Sequence, residues 1–411
     1  MNAVDQLLTP NTIKSRKSAK ITKNKLALLQ AIYAAGKTSI NDLMRELSLS
    51  FPTLSVMLNE LLDQKLILQE ERGESIGGRK PNLFQLNHNL FKILTIEITR
   101  FTVMLGVLDN NSNLVTPIKT YGFKISKNLN KLSSFKAIIK DYMQGYPEIW
   151  KQCSGIAISM PGLVDEKAGN NYTFFYEPDF HLASDLEIEF NKTVRIMNQA
   201  KVNCMAEQFF GPLKRKNNAL IIQLDWGIGL GIIADGKIYS GKNGFSGEMG
   251  HISFKEEGEL CYCGKRGCLE TIVSGSALVK QAKEDILNGT PTLIKLEGGE
   301  QELLPIHIIQ AALEGDQYAI QLISSLGNKL GRAIALFIQV FNPETILLTG
   351  EFTRASSILS ASILQQVQTY SMTKLADNCE LIISELGDRS ISLGLTRLFM
   401  NKYFEERLGL N

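Results

Sequence analysis

No apolar run in this chain of 411 residues approaches the length of a membrane span, and the opening stretch MNAVDQLLTPNTIKSRKSAK lacks the apolar core of a secretory leader. Membrane-spanning and secreted proteins are therefore not expected, and the chain is assigned to the cytoplasm. Cysteine is scarce: six residues in such a length do not make a disulfide scaffold. Low-complexity tracts are missing, and no internal repeat stands out. An excess of either charge is missing too, with 44 basic against 42 acidic residues and a net charge of +2. What is present is ordinary for a folded protein, 44% apolar and 21% charged, and the length calls for two or three domains.

The small net charge conceals an uneven distribution. Residues 1–90 hold twelve Lys/Arg and eight Asp/Glu, giving +4, and eight of those twelve bases fall in the first 45 positions. A basic end on a near-neutral body suggests an acidic polymer as its partner. Residues 1–20 read as a basic tail and 21–88 as a separate domain. From about Thr22, Leu26, Leu29, Ile32 and Tyr33 share one helical face, and Gly36 ends the helix. Ser39 caps a second helix, with Asp42 as its capping-box acid and Ile40, Leu43 and Leu47 inside. Ser50 caps a third, with Pro52 in the first turn and Leu54, Leu58, Leu61 and Leu62 inside. Two short helices joined by a tight turn and preceded by another give a helix-turn-helix. Its outward Thr53, Ser55 and Asn59 are short polar groups able to meet base edges in a major groove. Leu66–Leu68 and Leu83–Leu86 flank a polar stretch ending GGRKP, a β-hairpin wing whose Arg79 and Lys80 suit phosphates or a narrow minor groove.

A second cluster lies far downstream. Cys261, Cys263 and Cys268 fall within eight residues, and His251 stands ten before the first of them. Three thiolates and one imidazole complete a tetrahedral donor set for a structural zinc ion, with Gly264 and Gly267 folding the chain between ligands. Lys265 and Arg266 offset the negative charge of three thiolates. Cys153, Cys204 and Cys379 stand alone and are expected to pack as small apolar groups.

The stretch DWGIGLGIIADGKIYSGKNGFSGEMGHISFKEEGELCYCGKRGCLE (225–270) resembles the signature of the ROK family of repressors, open reading frames and sugar kinases. GIAISMPG at 155–162 and FNPETI at 341–346 fit the same pattern, so the resemblance covers roughly 90–411. With the GGRKP wing in front, the chain is similar to the family's xylose and N-acetylglucosamine repressors. The resemblance implies an α/β two-lobed sugar-kinase/actin-like (ribonuclease-H-like) fold, with a ligand cleft between the lobes, preceded by an N-terminal winged helix-turn-helix domain. It assigns residues 90–200 plus 388–411 to the first lobe, and 201–387 with the zinc site to the second. It also implies that Asn198, Glu248, His251 and Glu270 hydrogen-bond a sugar, with zinc as organiser of His251 and of the segment bearing Glu270.

Kinase activity is not expected. ROK kinases open with a D-x-G-G-T turn, whose glycines let backbone N–H groups approach phosphates. Here the matching segment is Glu97-Ile98-Thr99-Arg100-Phe101, without glycine. Where the kinases carry an Asn-Asp pair, this chain has Asn198-Gln199, and a carboxamide is no base near neutral pH. The loop Gly227-Ile228-Gly229-Leu230-Gly231 survives, read as preserving a tight turn, beside Asp225 and Trp226, a poor phosphate cradle. The expectation is a DNA-binding transcriptional regulator of carbohydrate metabolism, a repressor, without enzymatic activity. It would bind double-stranded operator DNA as a homodimer or higher homo-oligomer and respond to a sugar or sugar derivative. The alternatives are a DNA-linked ATP-dependent sugar kinase and a regulator controlled by protein binding.

Overall fold

The computed structural model describes residue 4 and residues 16–70, 82–295 and 303–409, with side chains in the first helix from residue 19 onward. That helix, α1, spans Arg16–Ala35 and so begins six residues before the expected Thr22. Nothing between Arg16 and Thr22 breaks a helix, so the backbone extends beyond its apolar face, and residues assigned to the tail are helical. Leu26, Leu29, Ile32 and Tyr33 are buried, joined by Leu28, and Gly36 ends the helix at φ +75°.

Helix α2 (Ile40–Leu47) starts as its sequence suggests: the Ser39 hydroxyl accepts from the Asp42 N–H at 3.3 Å and donates to the Asp42 carboxylate at 2.7 Å. Helix α3 (Phe51–Asp63) does not. Ser50 occupies the cap position but makes no capping hydrogen bond; its hydroxyl lies 3.0 Å from that of Thr53. One hydroxyl has drawn the other away from the helix end. Leu54, Met57, Leu58 and Leu61 form the inner face of α3. Strands β1 (Thr38–Ser39), β2 (Ile67–Glu70) and β3 (Leu83–Leu86) form a sheet in the order β1-β3-β2. The β2–β3 pair is antiparallel, with Ile67 opposite Leu86 and Glu70 opposite Leu83. Arg79 and Lys80, at the expected wing tip, lie outside the described residues.

The helix Ser390–Leu408 packs against this head through Arg397. The guanidinium lies 4.1 Å from the Tyr33 ring centroid and donates to the carbonyls of Tyr33 (2.7 Å) and Ala34 (3.0 Å). Those carbonyls end α1, where the helix dipole favours a cation. Arg397 is only 6% exposed, and burial pushes the Tyr33 hydroxyl up to about 12 despite that cation.

The chain divides into two units. The first takes the described residues up to Met160, with Ala168–Ile196 and the segment from Leu395 onward; the second takes Pro161–Lys167 and Met197–Gly394. The lobe limits expected at 200/201 and 387/388 thus compare with 196/197 and 394/395, and the head shares a unit with the first lobe.

The first unit's five-stranded sheet runs, in spatial order, 193–198, 155–160, 92–98, 102–109 and 119–122. In the second unit the order is 380–383, 345–349, 219–224, 228–234 and 237–238. Numbered along the chain within each sheet, both are ordered 5-4-1-2-3. In each, strand 1 is antiparallel to strand 2 and parallel to strand 4. The repeat that no sequence similarity betrayed is a repeat of topology.

The second unit's largest core packs Leu220, Ile222 and Leu224 against the long helix Gln317–Phe341. Asp316 caps that helix, accepting from the Ala319 N–H at 2.7 Å and from the Leu293 N–H and Thr292 hydroxyl. No helix among the described residues is long and apolar enough to cross a membrane.

Candidate functional site

His251 closes a short 3-10 turn after Gly247-Glu248, and Cys261, Cys263 and Cys268 follow on a looped segment. Their ligand atoms all lie within 4.8 Å of one another. Cys261 Sγ is 3.5 Å from His251 Nδ1, and Cys263 Sγ is 3.6 Å from Cys268 Sγ. A tetrahedral site with metal–sulfur bonds of about 2.3 Å has edges of about 3.8 Å, so donor types and spacings fit one metal ion. The chain reverses at Gly267, φ +69°, where a Cβ would overlap the Lys255 carbonyl. Burial holds the Cys261 and Cys268 thiols above their ordinary range; burial, then the Lys265 charge, holds His251 below its own. Among the described residues no other group of His, Cys, Asp and Glu has this form. Cys153 and Cys204 are buried apart from it, and Cys379 is half-buried.

The other ring nitrogen of His251, Nε2, lies 3.0 Å from the Tyr262 hydroxyl. A metal on Nδ1 leaves Nε2–H to donate to that oxygen, which fixes the ring. Tyr262 escaped the sequence reading, although an aromatic side chain between two cysteine ligands was the available signal. Desolvation, then the charges of Glu270 and Glu248, push its hydroxyl well above the usual tyrosine range.

Glu270 follows Cys268 by two positions. One carboxyl oxygen is buried without a hydrogen-bond partner and lies 3.8 Å from His251 Nδ1. Burial pushes this carboxyl up to about 7, opposed by the Ile228 N–H and assisted by Glu248. Glu248 is likewise raised by desolvation and lowered by Lys201. Asn198 ends strand 193–198 and caps the helix Gln199–Phe209, its Oδ1 accepting from the Ala200 N–H at 2.9 Å and its Nδ2 donating to the Gly162 carbonyl at 3.1 Å. Lys201, two residues into that helix and almost wholly buried, donates to the Glu166 carboxylate at 3.2 Å and to the Gly244 carbonyl. It thereby ties the helix start to the 240–248 loop that carries Glu248. Nothing local marked this lysine, because its partners stand 35 and 43 residues away.

At the two places where the resemblance leads us to expect no nucleotide site, the local donors are met from within the chain. In the turn between strands 92–98 and 102–109, the Thr99 hydroxyl accepts from the N–H groups of Phe101 (3.3 Å) and Thr102 (3.0 Å). The Thr99 N–H donates to the Thr102 carbonyl at 2.9 Å. Backbone donors of the kind that cradle a phosphate are spent on a threonine. In the second unit, Gly229 and Gly231 lie within strand 228–234, not in the tight turn expected. A Cβ on Gly231 would overlap Cys204 Sγ and the Ala200 carbonyl, so this glycine lets the helix 199–209 lie close on the sheet. The Asp225 carboxylate accepts from Gln223 Nε2 at 2.7 Å and from the Glu351 N–H at 2.5 Å. The acceptor for those donors belongs to the chain itself.

On α3, Thr53 and Asn59 are exposed and Ser55 is half-buried. Glu60 is held by Lys25 at 2.7 Å.

Two sheets of ribonuclease-H-like order, each filling one lobe, define a protein of the actin-like sugar kinase/repressor class. The ROK family model matches residues 96–402, and the chain belongs to the ROK family. The xylose repressor of Caldicellulosiruptor bescii is 27% identical over 377 residues, covering 90% of this chain and 94% of its own. The N-acetylglucosamine repressor of Escherichia coli O157:H7 is 27% identical over 384 residues, covering 89% and 90%. Among solved structures, a ROK family transcriptional regulator, a homologue of the E. coli MLC protein, matches with TM-score 0.76 and 26% identity, covering 93% of this chain and 97% of its own.

Proposed function

We propose that this chain is a transcriptional repressor of carbohydrate genes that binds operator DNA through an N-terminal winged helix-turn-helix and is controlled by a sugar or sugar derivative. The observation that carries the reading is the union, in one chain, of the three-helix, three-strand head with a ROK body in which Gln199 stands where the family's kinases have their base. Two further features support it: the turn at Thr99 satisfies its own donors, and repressors are among the relatives aligned across both head and body.

Asn198, Glu248, His251 and Glu270 are the proposed sugar contacts, His251 through Nε2–H, on which a sugar hydroxyl would take the place of the Tyr262 hydroxyl. The unpartnered buried oxygen of Glu270 is the acceptor that a polyol hydroxyl would satisfy. His251, Cys261, Cys263 and Cys268 are the proposed ligands of one structural zinc ion. Zinc would neutralise the thiolates and lock the segments bearing His251 and Glu270. Thr53, Ser55 and Asn59 would face base edges, with Arg79 and Lys80 on the backbone or in the minor groove. A single head of this size buries too little surface for tight specific binding, so the repressor acts as a homodimer on a two-fold site. Effector would shift the population between operator-binding and non-binding states, which requires different affinities for the two.

The test joins two measurements. Duplexes enriched from a random pool by the full-length protein should share a two-fold sequence, and calorimetry against a sugar and sugar-phosphate panel should find one compound that releases it. Absence of any selective duplex sinks the repressor reading. ATP turnover with a hexose would return the chain to the kinases.

A further inference from the structure

The outward face of α3 contains an exposed apolar residue besides the polar Thr53, Ser55 and Asn59. Val56 is 58% exposed on a helix whose other apolar residues beyond its first turn point inward. It stands three positions after Thr53 and three before Asn59, so it lies between these two exposed polar side chains on one face. The neighbouring groups are engaged: the Thr53 hydroxyl meets Ser50 at 3.0 Å and the Glu60 carboxylate meets Lys25 at 2.7 Å. Burial within the head is thus not what keeps a branched apolar group at this place.

Resting on the DNA-binding reading above, we infer that Val56 reads the C5-methyl group of a thymine in the major groove. Of the four bases only thymine presents an apolar group there, and a valine side chain has no donor or acceptor with which to read anything else. Charge favours this occupant over an apolar protein surface: helix α1 of the same head presents exposed Lys20 and Lys23 and contains no acidic residue, its Lys25 being held by Glu60. Val56 would supply base selectivity at one position of each half-site, while the lysines supply affinity without selectivity.

The experiment starts from the operator enriched by the full-length, zinc-loaded protein. Each thymine is replaced in turn by deoxyuridine, which deletes the C5-methyl and leaves every hydrogen-bonding group in place. At least one thymine per half-site is expected to lose about fourfold in affinity on this change, the effect of one methyl buried. In Val56→Ala the same replacement is expected to cost nothing, while replacements elsewhere keep their effects. Val56→Thr, which keeps one methyl and the shape, is expected to fall between. Unchanged melting temperatures of both variants exclude a folding effect. The inference is overturned if no thymine responds to loss of its methyl, or if the response persists undiminished in Val56→Ala. Failure to enrich any duplex overturns the DNA-binding reading with it and is recognised at the first step.

Discussion

Cys261 and His251 stand 3.5 Å apart, at the two ends of a loop that no disulfide closes. Cys261→Ser is therefore expected to lower bound zinc, measured by atomic absorption, from one per chain to well below one. The melting temperature should fall by roughly 5–10 °C, because ligand binding and folding are coupled. A variant that kept full zinc would remove Cys261 from the ligand set. The missing base suggests a second experiment. Gln199→Asp restores a carboxylate, yet the donors at Thr99, Phe101 and Thr102 remain occupied, so ATP turnover with hexoses should stay at background. Residues of this site were legible in sequence where chemistry required neighbours in the chain, as with Cys261, Cys263 and Cys268. Lys201 was not legible and Tyr262 only by its place between two cysteines, because their roles come from contacts that only the folded loops create.

At the scale of elements, the helix Gln317–Phe341 depends on Asp316 for its start. Burial raises this carboxyl, but N–H donors from Ala319 and Leu293 and the Thr292 hydroxyl outweigh it, and the net shift is downward. A depressed pKa means stability that is complete above the ordinary aspartate value and is lost as pH falls through the folded one. Asp316→Ala is expected to cost about 1–2 kcal/mol at neutral pH by denaturant unfolding. The gap from wild type should shrink below about pH 4. Ser50 teaches the opposite lesson about caps. The sequence marks it as one as plainly as Ser39, but Thr53 competes for its hydroxyl, and a competition between two local partners cannot be read from either residue alone. Arg397 acts on an element from outside. Arg397→Met is expected to speed hydrogen exchange in the last turns of α1 and weaken operator binding, while leaving zinc content unchanged.

For the whole molecule, the proposed division of labour can be weighed by salt. Operator affinity should fall linearly with the logarithm of salt concentration, and replacing both Arg79 and Lys80 by alanine should reduce that slope by about 2. An unchanged slope would remove the wing tip from the phosphate contacts. The two-lobe architecture was legible through signature residues and not through periodicity. Its matching strand orders leave no repeat in the sequence, because a strand needs only apolar residues on its buried faces, and many unrelated sequences meet that condition.

The contact between Arg397 and the end of α1 spans 364 residues of chain. At ordinary rates of about 5–20 residues per second, a ribosome that has just added Tyr33 needs roughly 20–70 s more to supply the arginine. During synthesis, the N-terminal head therefore exists for much of a minute with Gly36 alone, and not Arg397, closing the end of its first helix. A chain broken off before Arg397 keeps that condition permanently. On the proposed repressor reading, prematurely terminated products would then make weak competitors for an operator.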